Sequence, residues 1–557
     1  MVRSSLLRLA AVGLIFIIGC ASISPVVTNQ PADGTSRRPK LVVGITVDQM
    51  RYDYIEKFWN DFGDKGFKRL LGDGFFCRNL KYNYMPTYTG PGHASLFTGT
   101  TPAFHGIIEN DWYERSSGLT IYCSSDSTAT GVGTNSAAGK MSPHYLLAST
   151  IGDELKIFSN DRSKVFGIAM KDRGAILPAG RTADAAYWFV GGTEGVWATS
   201  NWYMNDLPAW VSDFNTTEKA ENYLNQTWSL MLDEAKYDES MQDNNAYEAP
   251  FKGSLRPVFP YNLSELRAAN GNFDLIKATP FGNDLTLDFA KELIEKEGLA
   301  VDEFTDMLCM SFSSTDYIGH QFGIHSREVQ DCYLRLDKLL GEFLDYLDQK
   351  VGRENYLLFL SADHGGAPTP SYMSTQQASS GYWEKDKFEL NLENWLQSKY
   401  GVGDWVINES NQNIFLNRKL IEEKKLDLAE IQKATASYVA EQPHVHAAFS
   451  GEQLSGYNLQ LPIMQMVQLG FSQKMSGDVI YVLDPNYMQY GMMGTTHGSP
   501  YVYDSHVPAL FFGSGIKHGE SHSPYFITDI APTVSAVCKI SFPNACIGNP
   551  IAEALKD

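Results

Sequence analysis

Apolar residues come along this chain in short unbroken runs that stop at charged side chains or sharp turns. LVVGITV (41–47) ends at Asp48, VFGIAM (165–170) at Lys171, MLCMSFS (307–313) shortly before Asp316, YLLFLS just before Asp363-His364, and VPALFFG (507–513) at a glycine-rich turn. Runs of this kind, rich in Val, Ile, Leu and Phe and without alternation, predict strands buried on both faces of a parallel sheet. Between them lie stretches of helical period, such as SREVQDCYLRLDKLLGEFLDYLDQ (326–349). The alternation predicts an α/β fold: a doubly wound, mostly parallel sheet with helices on both faces. Such sheets bind ligands at the carboxyl ends of their strands, which is where the polar residues named above fall. Residues of about 200–275 and 370–490 break the rhythm and read as insertions capping one edge of a domain spanning 40–545.

The first residues add a destination. MVRSSLLR is basic, LAAVGLIFIIG is a short apolar run, and small residues follow, the pattern of a secretory signal over 1–21. Ile17-Ile18-Gly19-Cys20 also resembles a bacterial lipoprotein cleavage box, which would put lipid on Cys20 and anchor the protein to a membrane; simple cleavage and lipidation both stay open. Residues 22–39, rich in Pro, Thr, Ser and Asn, predict a tether. The expected location is the periplasm or outer membrane of a bacterium. Export permits disulfides, and Cys538 with Cys546, across Pro543, is the first pairing expected, Cys77 with Cys123 the second. Cys309, in an apolar run, reads as an inert core residue.

Charge changes the picture next. The net charge is −20, from 45 basic against 65 acidic residues, which argues against coating nucleic acid. An anionic substrate would need a local source of positive charge. The sequence does not specify the oligomeric state.

A set of metal-ligand types lies at the strand ends. In Asp316-Tyr-Ile-Gly-His320 the carboxylate and imidazole, four apart, would share one helix face. Asp363-His364 precedes Gly365-Gly366, His497 stands between Gly494 and Gly498, and Asp48 ends the first run. Oxygen and nitrogen ligands with no Cys-x-x-Cys pair suit zinc, and the set exceeds what one tetrahedral ion needs. Singly, each has a plainer reading as a cap, a turn residue or a core histidine. His93, His105, His325 and His506 lack such company and read as structural or supporting. Thr89, before Gly90-Pro91-Gly92-His93, reads locally as a helix cap.

In order, Asp48, Thr89 before GPGH, Asp316-x3-His320, Asp363-His364-Gly365, His497-Gly498 and the late VPALFFGSGI and TDIAPTV segments resemble the alkaline phosphatase superfamily over roughly residues 40–540, above all its secreted bacterial branch that uses threonine, cousins of the nucleotide pyrophosphatase/phosphodiesterases. The resemblance implies two zinc ions, one held by Asp316, His320 and His497, the other by Asp48, Asp363, His364 and the Thr89 oxygen. It implies hydrolysis of small phosphate monoesters by in-line attack of a zinc-activated Thr89 through a covalent phospho-threonine, with Thr87 the fallback nucleophile. It further implies that Asn110, Lys171 and Arg173 bind phosphate.

Lys171 and Arg173, two apart in what reads as an extended segment, would face one ligand while Asp172 points away. Two zinc ions less about three carboxylates and one alkoxide leave near zero; with Lys and Arg the site carries about +2, which matches a monoester dianion. General acid–base help gives only about 10² to 10⁴ of an acceleration that reaches up to about 10²¹ for such esters, so positioned cations are expected to carry the rest. A phosphodiesterase of the same superfamily, and a surface-anchored binding protein with structural metals, are the alternatives.

Overall fold

The structure is a computed structural model describing residues 38–456 and 462–556; the expected signal, Cys20 and most of the tether lie outside the described residues. Its principal strands are β1 (Leu41–Val47), β2 (Phe75–Lys81), β3 (Val165–Ala169), β4 (Ala185–Val190), β5 (Val196–Ser200), β6 (Asp306–Phe312), β7 (Tyr356–Ser361) and β8 (His506–Gly513). The helices that concern the site are α1 (Thr89–Thr98), α2 (Asp172–Ala179), α3 (Ser314–Phe322) and α4 (Arg327–Lys350).

Among the described residues eleven strands form one sheet, in which β2, β8, β7, β1, β6, β3, β4 and β5 follow one another in that order. The middle of it, β7-β1-β6-β3-β4, is parallel, as the unbroken apolar runs predict. VPALFFG departs from that expectation: β8 runs antiparallel to both β7 and β2. A strand buried on both faces is apolar whichever way it runs, so the run showed burial and not direction.

Register brings the strand ends to one rim. Val47 pairs with Phe312, Thr46 with Ser361 and Ser311 with Ala169, so the residues after β1, β6, β7 and β3 emerge together. All seven residues of β1 are buried. Gly44 lets its neighbours close in, since a Cβ there would stand 2.6 Å from the Phe359 ring and 2.8 Å from that of Phe97 on α1. All ten residues of α1 are buried as well. Gly92 sets its seat, because a Cβ at 92 would lie 2.2 Å from the Asp363 carbonyl oxygen. The first turn of α1 is thereby pressed against the carboxyl end of β7. α4 begins where Ser326 Oγ accepts the Val329 N–H at 3.2 Å and buries its apolar face on the main core.

The two irregular stretches differ. Residues 209–262 form short helices, Ala209–Asn215 and Lys219–Leu224, and a two-stranded ribbon, and send Trp228 and Tyr261 into the main core. Residues 385–483 build a module of their own, with helices Lys385–Tyr400 and Leu428–Ala440 on a four-stranded antiparallel sheet. Its core includes Leu392, Leu396, Trp405, Ile431 and Val479 and is separate from the main one. Among the described residues no helix is long and apolar enough to cross a membrane.

The expected disulfides do not form: the six described cysteines are free. Cys538 ends a helix with its side chain in the main core, whereas the Cys546 sulfur faces Gly99, 2.7 Å from where a Cβ would be. Cys77 lies in β2 within the main core, and Cys123 packs with Ala94 and Ile107 in another cluster. Cys309 is a buried core residue.

Candidate active site at the sheet rim

Asp48, Asp316, Asp363 and His364 are all buried, and His497 nearly so. Asp48 leaves β1 and Asp363-His364 leave β7; Asp316 and His320 sit one turn apart on α3, with Asp316 Oδ1 3.2 Å from His320 Nε2, as their spacing predicts. Asp316 Oδ1 is also 3.7 Å from His497 Nε2, and the His497 ring stacks on His364 with centroids 3.4 Å apart. His364 Nε2 is 3.4 Å from Asp48 Oδ1, from Asp363 Oδ2 and from Thr89 Oγ1. Six side chains from four parts of the chain thus converge on one spot with Thr89.

Three backbone carbonyls set the tautomers. His320 Nδ1 lies 2.7 Å from the Thr495 oxygen, His364 Nδ1 2.8 Å from the Gly365 oxygen and His497 Nδ1 2.7 Å from the Thr87 oxygen. A carbonyl only accepts, so each Nδ1 carries a proton and each Nε2 is the ring nitrogen left for a cation. Orienting a ligating imidazole through its other nitrogen is the usual support for a metal site. Thr87, the fallback nucleophile, is engaged there: its carbonyl holds His497 and its hydroxyl donates to the Ser499 oxygen at 2.9 Å.

The donor set fits divalent cations. The buried Asp48 and Asp363 oxygens face only cationic or imidazole nitrogens: Asp48 Oδ1 is 3.4 Å from His364 Nε2, Asp48 Oδ2 2.6 Å from Lys171 Nζ and Asp363 Oδ2 3.2 Å from His93 Nδ1. Asp316, His320 and His497 present ligand atoms within 4.8 Å of one another, the first set expected from sequence. Asp48, Asp316 and His364 do so as well; Asp363 stands at His364 beside that second group.

Burial and the neighbouring charges of the site together set its ionisation. Burial opposes the Asp316 charge, but His320 and Lys171 outweigh it and hold the carboxyl well below its ordinary range. Burial likewise opposes Asp48, and Lys171 holds it low. Burial and the Asp48 charge push Asp363 up. Burial disfavours a charged His364, yet Asp363 and Asp48 raise it to about 9, while burial and His364 drive His497 down.

Lys171 and Arg173 reach the site by a route other than the extended one. α2 starts at Asp172, with Lys171 as its N-cap and Arg173 in its first turn. Lys171 Nζ stands 2.6 Å from Asp48 Oδ2 and 2.5 Å from Asp316 Oδ2. Arg173 Nη2 donates to Thr89 Oγ1 at 3.4 Å and Nη1 to Tyr122 Oη at 3.2 Å. Asp172 turns to Tyr122, whose hydroxyl it accepts.

Thr89 opens α1 but does not cap it. Tyr88 is the N-cap and no side chain closes the turn, so the Thr89 hydroxyl stays free for His364 and Arg173. Asn110 Oδ1 accepts the Gly90 N–H at 2.7 Å, tying the same turn from outside and leaving its NH₂ to donate elsewhere. His93, below, places Nδ1 2.9 Å from the Thr89 oxygen and 3.2 Å from Asp363 Oδ2. Asn110 and His497 border a cavity of about 380 Å³ whose far wall, including Lys385, Asn411 and Gln412, comes from the module.

Sequence reasoning missed Tyr122 and Gln49. Tyr122 carried no signal, lying in an unremarkable hairpin. Gln49 follows Asp48 directly, but its contacts depend on a backbone conformation that composition does not reveal.

The type I phosphodiesterase/nucleotide pyrophosphatase family model matches residues 42–506. The chain is 44% identical over 523 residues to a calcium-transporting ATPase of Myroides odoratus, covering 93% of this chain and 95% of that one. It is 40% identical over 545 residues to the alkaline phosphatase PafA of Elizabethkingia meningoseptica, 97% and 98% covered, and 41% over 536 residues to the alkaline phosphatase PhoV of Synechococcus elongatus, 96% of each. The crystal structure of wild-type PafA superposes with a TM-score of 0.89, covering 93% of this chain and 99% of that one. A solved PafA variant carries substitutions at a Thr and an Asn 21 residues apart and at a Lys and an Arg two apart. Thr89 with Asn110, and Lys171 with Arg173, have the same spacings.

Proposed function

Because the chain belongs to the type I phosphodiesterase/nucleotide pyrophosphatase family, we propose that it is an alkaline phosphatase, a metal-dependent hydrolase of small phosphate monoesters with Thr89 as nucleophile. The observation that carries this reading is a buried threonine hydroxyl, released from capping, between His364 and Arg173 beside two groups of cation ligands.

Asp316, His320 and His497 would hold one zinc ion, and Asp48, Asp363, His364 and the Thr89 oxygen the other. A zinc pair supplies charge on both sides of an in-line displacement and lowers the pKa of a hydroxyl. The Thr89 hydroxyl gives its proton to solvent and its oxygen bonds to phosphorus as the bond to the ester oxygen breaks; that oxygen leaves with the electron pair and takes a proton from solvent as the alcohol. Water then cleaves the phospho-threonine, releasing phosphate and restoring Thr89. Arg173 offers its fork to the phosphoryl oxygens, and Asn110 its NH₂. Lys171, which stands on Asp48 and Asp316, would be free to meet a phosphoryl oxygen with cations on those carboxylates.

These cations favour a dianionic monoester over a singly charged diester. The terminal phosphate of ATP is attacked by the same chemistry, so the name of the Myroides relative requires no different site. Export by a signal within residues 1–21 belongs to the same proposal, with simple cleavage and lipidation of Cys20 as its two alternatives.

The test compares nitrophenyl phosphate with bis-nitrophenyl phosphate, and the wild type with Thr89→Ala. Monoester turnover should exceed diester turnover, and Thr89→Ala should lose at least about 10³-fold in kcat while keeping two zinc ions by metal analysis. Faster diester turnover would make the protein a phosphodiesterase. Full activity in Thr89→Ala would move the nucleophile elsewhere.

A further inference from the structure

Gln49 is buried, adjoins Asp48 and has no part in the mechanism above. Its backbone is left-handed, with φ of 62°, a region that a residue bearing a side chain enters only at a cost in strain. That conformation accompanies a double contact. The Gln49 N–H donates to Asp363 Oδ1 at 3.1 Å, and its Nε2 donates to Asp316 Oδ1 at 2.7 Å. One residue thus touches a carboxylate from each proposed zinc set.

Two glycines make room for it. A Cβ on Gly319, between Asp316 and His320, would lie 1.9 Å from Gln49 Oε1. A Cβ on Gly366, just beyond Asp363-His364, would lie 3.2 Å from its Cγ. The glycine of Asp-x-x-Gly-His and the second glycine of Asp-His-Gly-Gly therefore share a purpose that neither motif shows alone: both clear a slot for this amide.

Resting on the zinc reading above, we propose that Gln49 is a positioning residue that fixes Asp316 and Asp363 together and so sets the spacing of the two cation sites. Each carboxylate gives one lone pair to a Gln49 donor and is thereby held in a fixed direction toward a cation. Supporting contacts of this kind are worth about 10–100-fold in metal affinity or activity.

Three substitutions separate positioning from packing. Gln49→Gly relieves the backbone and removes the amide. Gln49→Asn keeps an amide and tolerates the left-handed region, but is one methylene too short for Asp316. Gln49→Glu keeps the length and replaces a donor with negative charge. Zinc affinity of each apoprotein is measured by competition with a chromophoric chelator, alongside Tm and kcat across a zinc titration. The expected result is zinc affinity about 10–100-fold weaker in Gln49→Gly and Gln49→Asn and weaker again in Gln49→Glu, with kcat recovering at excess zinc and the Tm of Gln49→Gly no lower than wild type. Wild-type zinc affinity in Gln49→Gly and Gln49→Glu, or losses that follow Tm and ignore added zinc, would overturn the proposal. Asp316→Ala serves as control. If it binds two zinc ions as tightly as wild type, the metal reading falls and this inference with it; if it loses zinc while the Gln49 variants do not, only this inference falls.

Discussion

The sheet rim and the 385–483 module border the same cavity and are built on opposite plans. At the rim, charged groups are buried: Asp48, Asp363 and His364 have no exposure, and Lys171 is 4% exposed. The module mixes exposed and buried residues along its edge strand Val406–Ser410, buries Asn413–Leu416 and Val479–Leu483 throughout, and fills its interior with Leu392, Trp405 and Ile431. The rim crowds several buried charges into one spot, while the module buries Asp478 and Glu409 apart, each beside a cationic partner, around an apolar interior. The difference predicts that chemistry and folding respond to different substitutions.

Arg173→Ala should give the largest effect that divides the regions. Losing a preorganised cationic donor costs about 10²–10³-fold in rate, and the loss in kcat/KM should be larger for a monoester than for a diester. Equal losses for the two substrates would remove the charge argument for a monoesterase. Next is Leu392→Ala, which deletes a fully buried side chain of the module. It should lower stability by about 2–5 kcal/mol, read by denaturant unfolding, and leave kcat of the folded enzyme unchanged. A parallel fall in kcat would mean that the module and the rim act as one body.

The same contrast decides what was legible in the sequence. Rim residues announced themselves because an apolar run that stops at Asp or Lys marks both a buried strand and its end. Asp316 and His320 were placed together by helical spacing alone. What stayed hidden depended on direction or on backbone shape. VPALFFG gave its burial but not its antiparallel sense. Lys171 and Arg173 were brought to one ligand for the wrong reason, since the turn into α2, not the pleat of a strand, aims them. The left-handed step at Gln49 has no signature in composition, because Gln is not a residue that prefers it. Thr89 read as a cap from its neighbours, and only the distant partners His364 and Arg173 give its hydroxyl another role. The cysteine pairings rested on loop length, which says nothing about which face a side chain takes.

The smallest effect lies on the seam between the regions. Glu109, beside Asn110, is buried and accepts Asn411 Nδ2 at 2.8 Å and Asn413 Nδ2 at 2.7 Å from the module. Burial holds its carboxyl well above the ordinary value of 4.5, with the Asn411 contact opposing. An acid whose folded pKa is raised keeps its proton in the native state over a range where the unfolded chain has released it. The native state then binds more protons, so stability is greatest below about pH 4.5 and declines toward the folded pKa by up to about 1.4 kcal/mol per pH unit. Glu109→Gln cannot ionise and should remove this share of the slope, so Tm measured from pH 5 to 9 should fall less steeply in the variant than in the wild type. Its absolute Tm at pH 5 is a separate matter, because the amide presents a donor where the carboxyl accepts one. An unchanged slope would mean that Glu109 is ionised in the native state and that the two asparagines hold a carboxylate. The seam would then be a charged clamp between module and rim, and the contrast between the two regions would give way at that point.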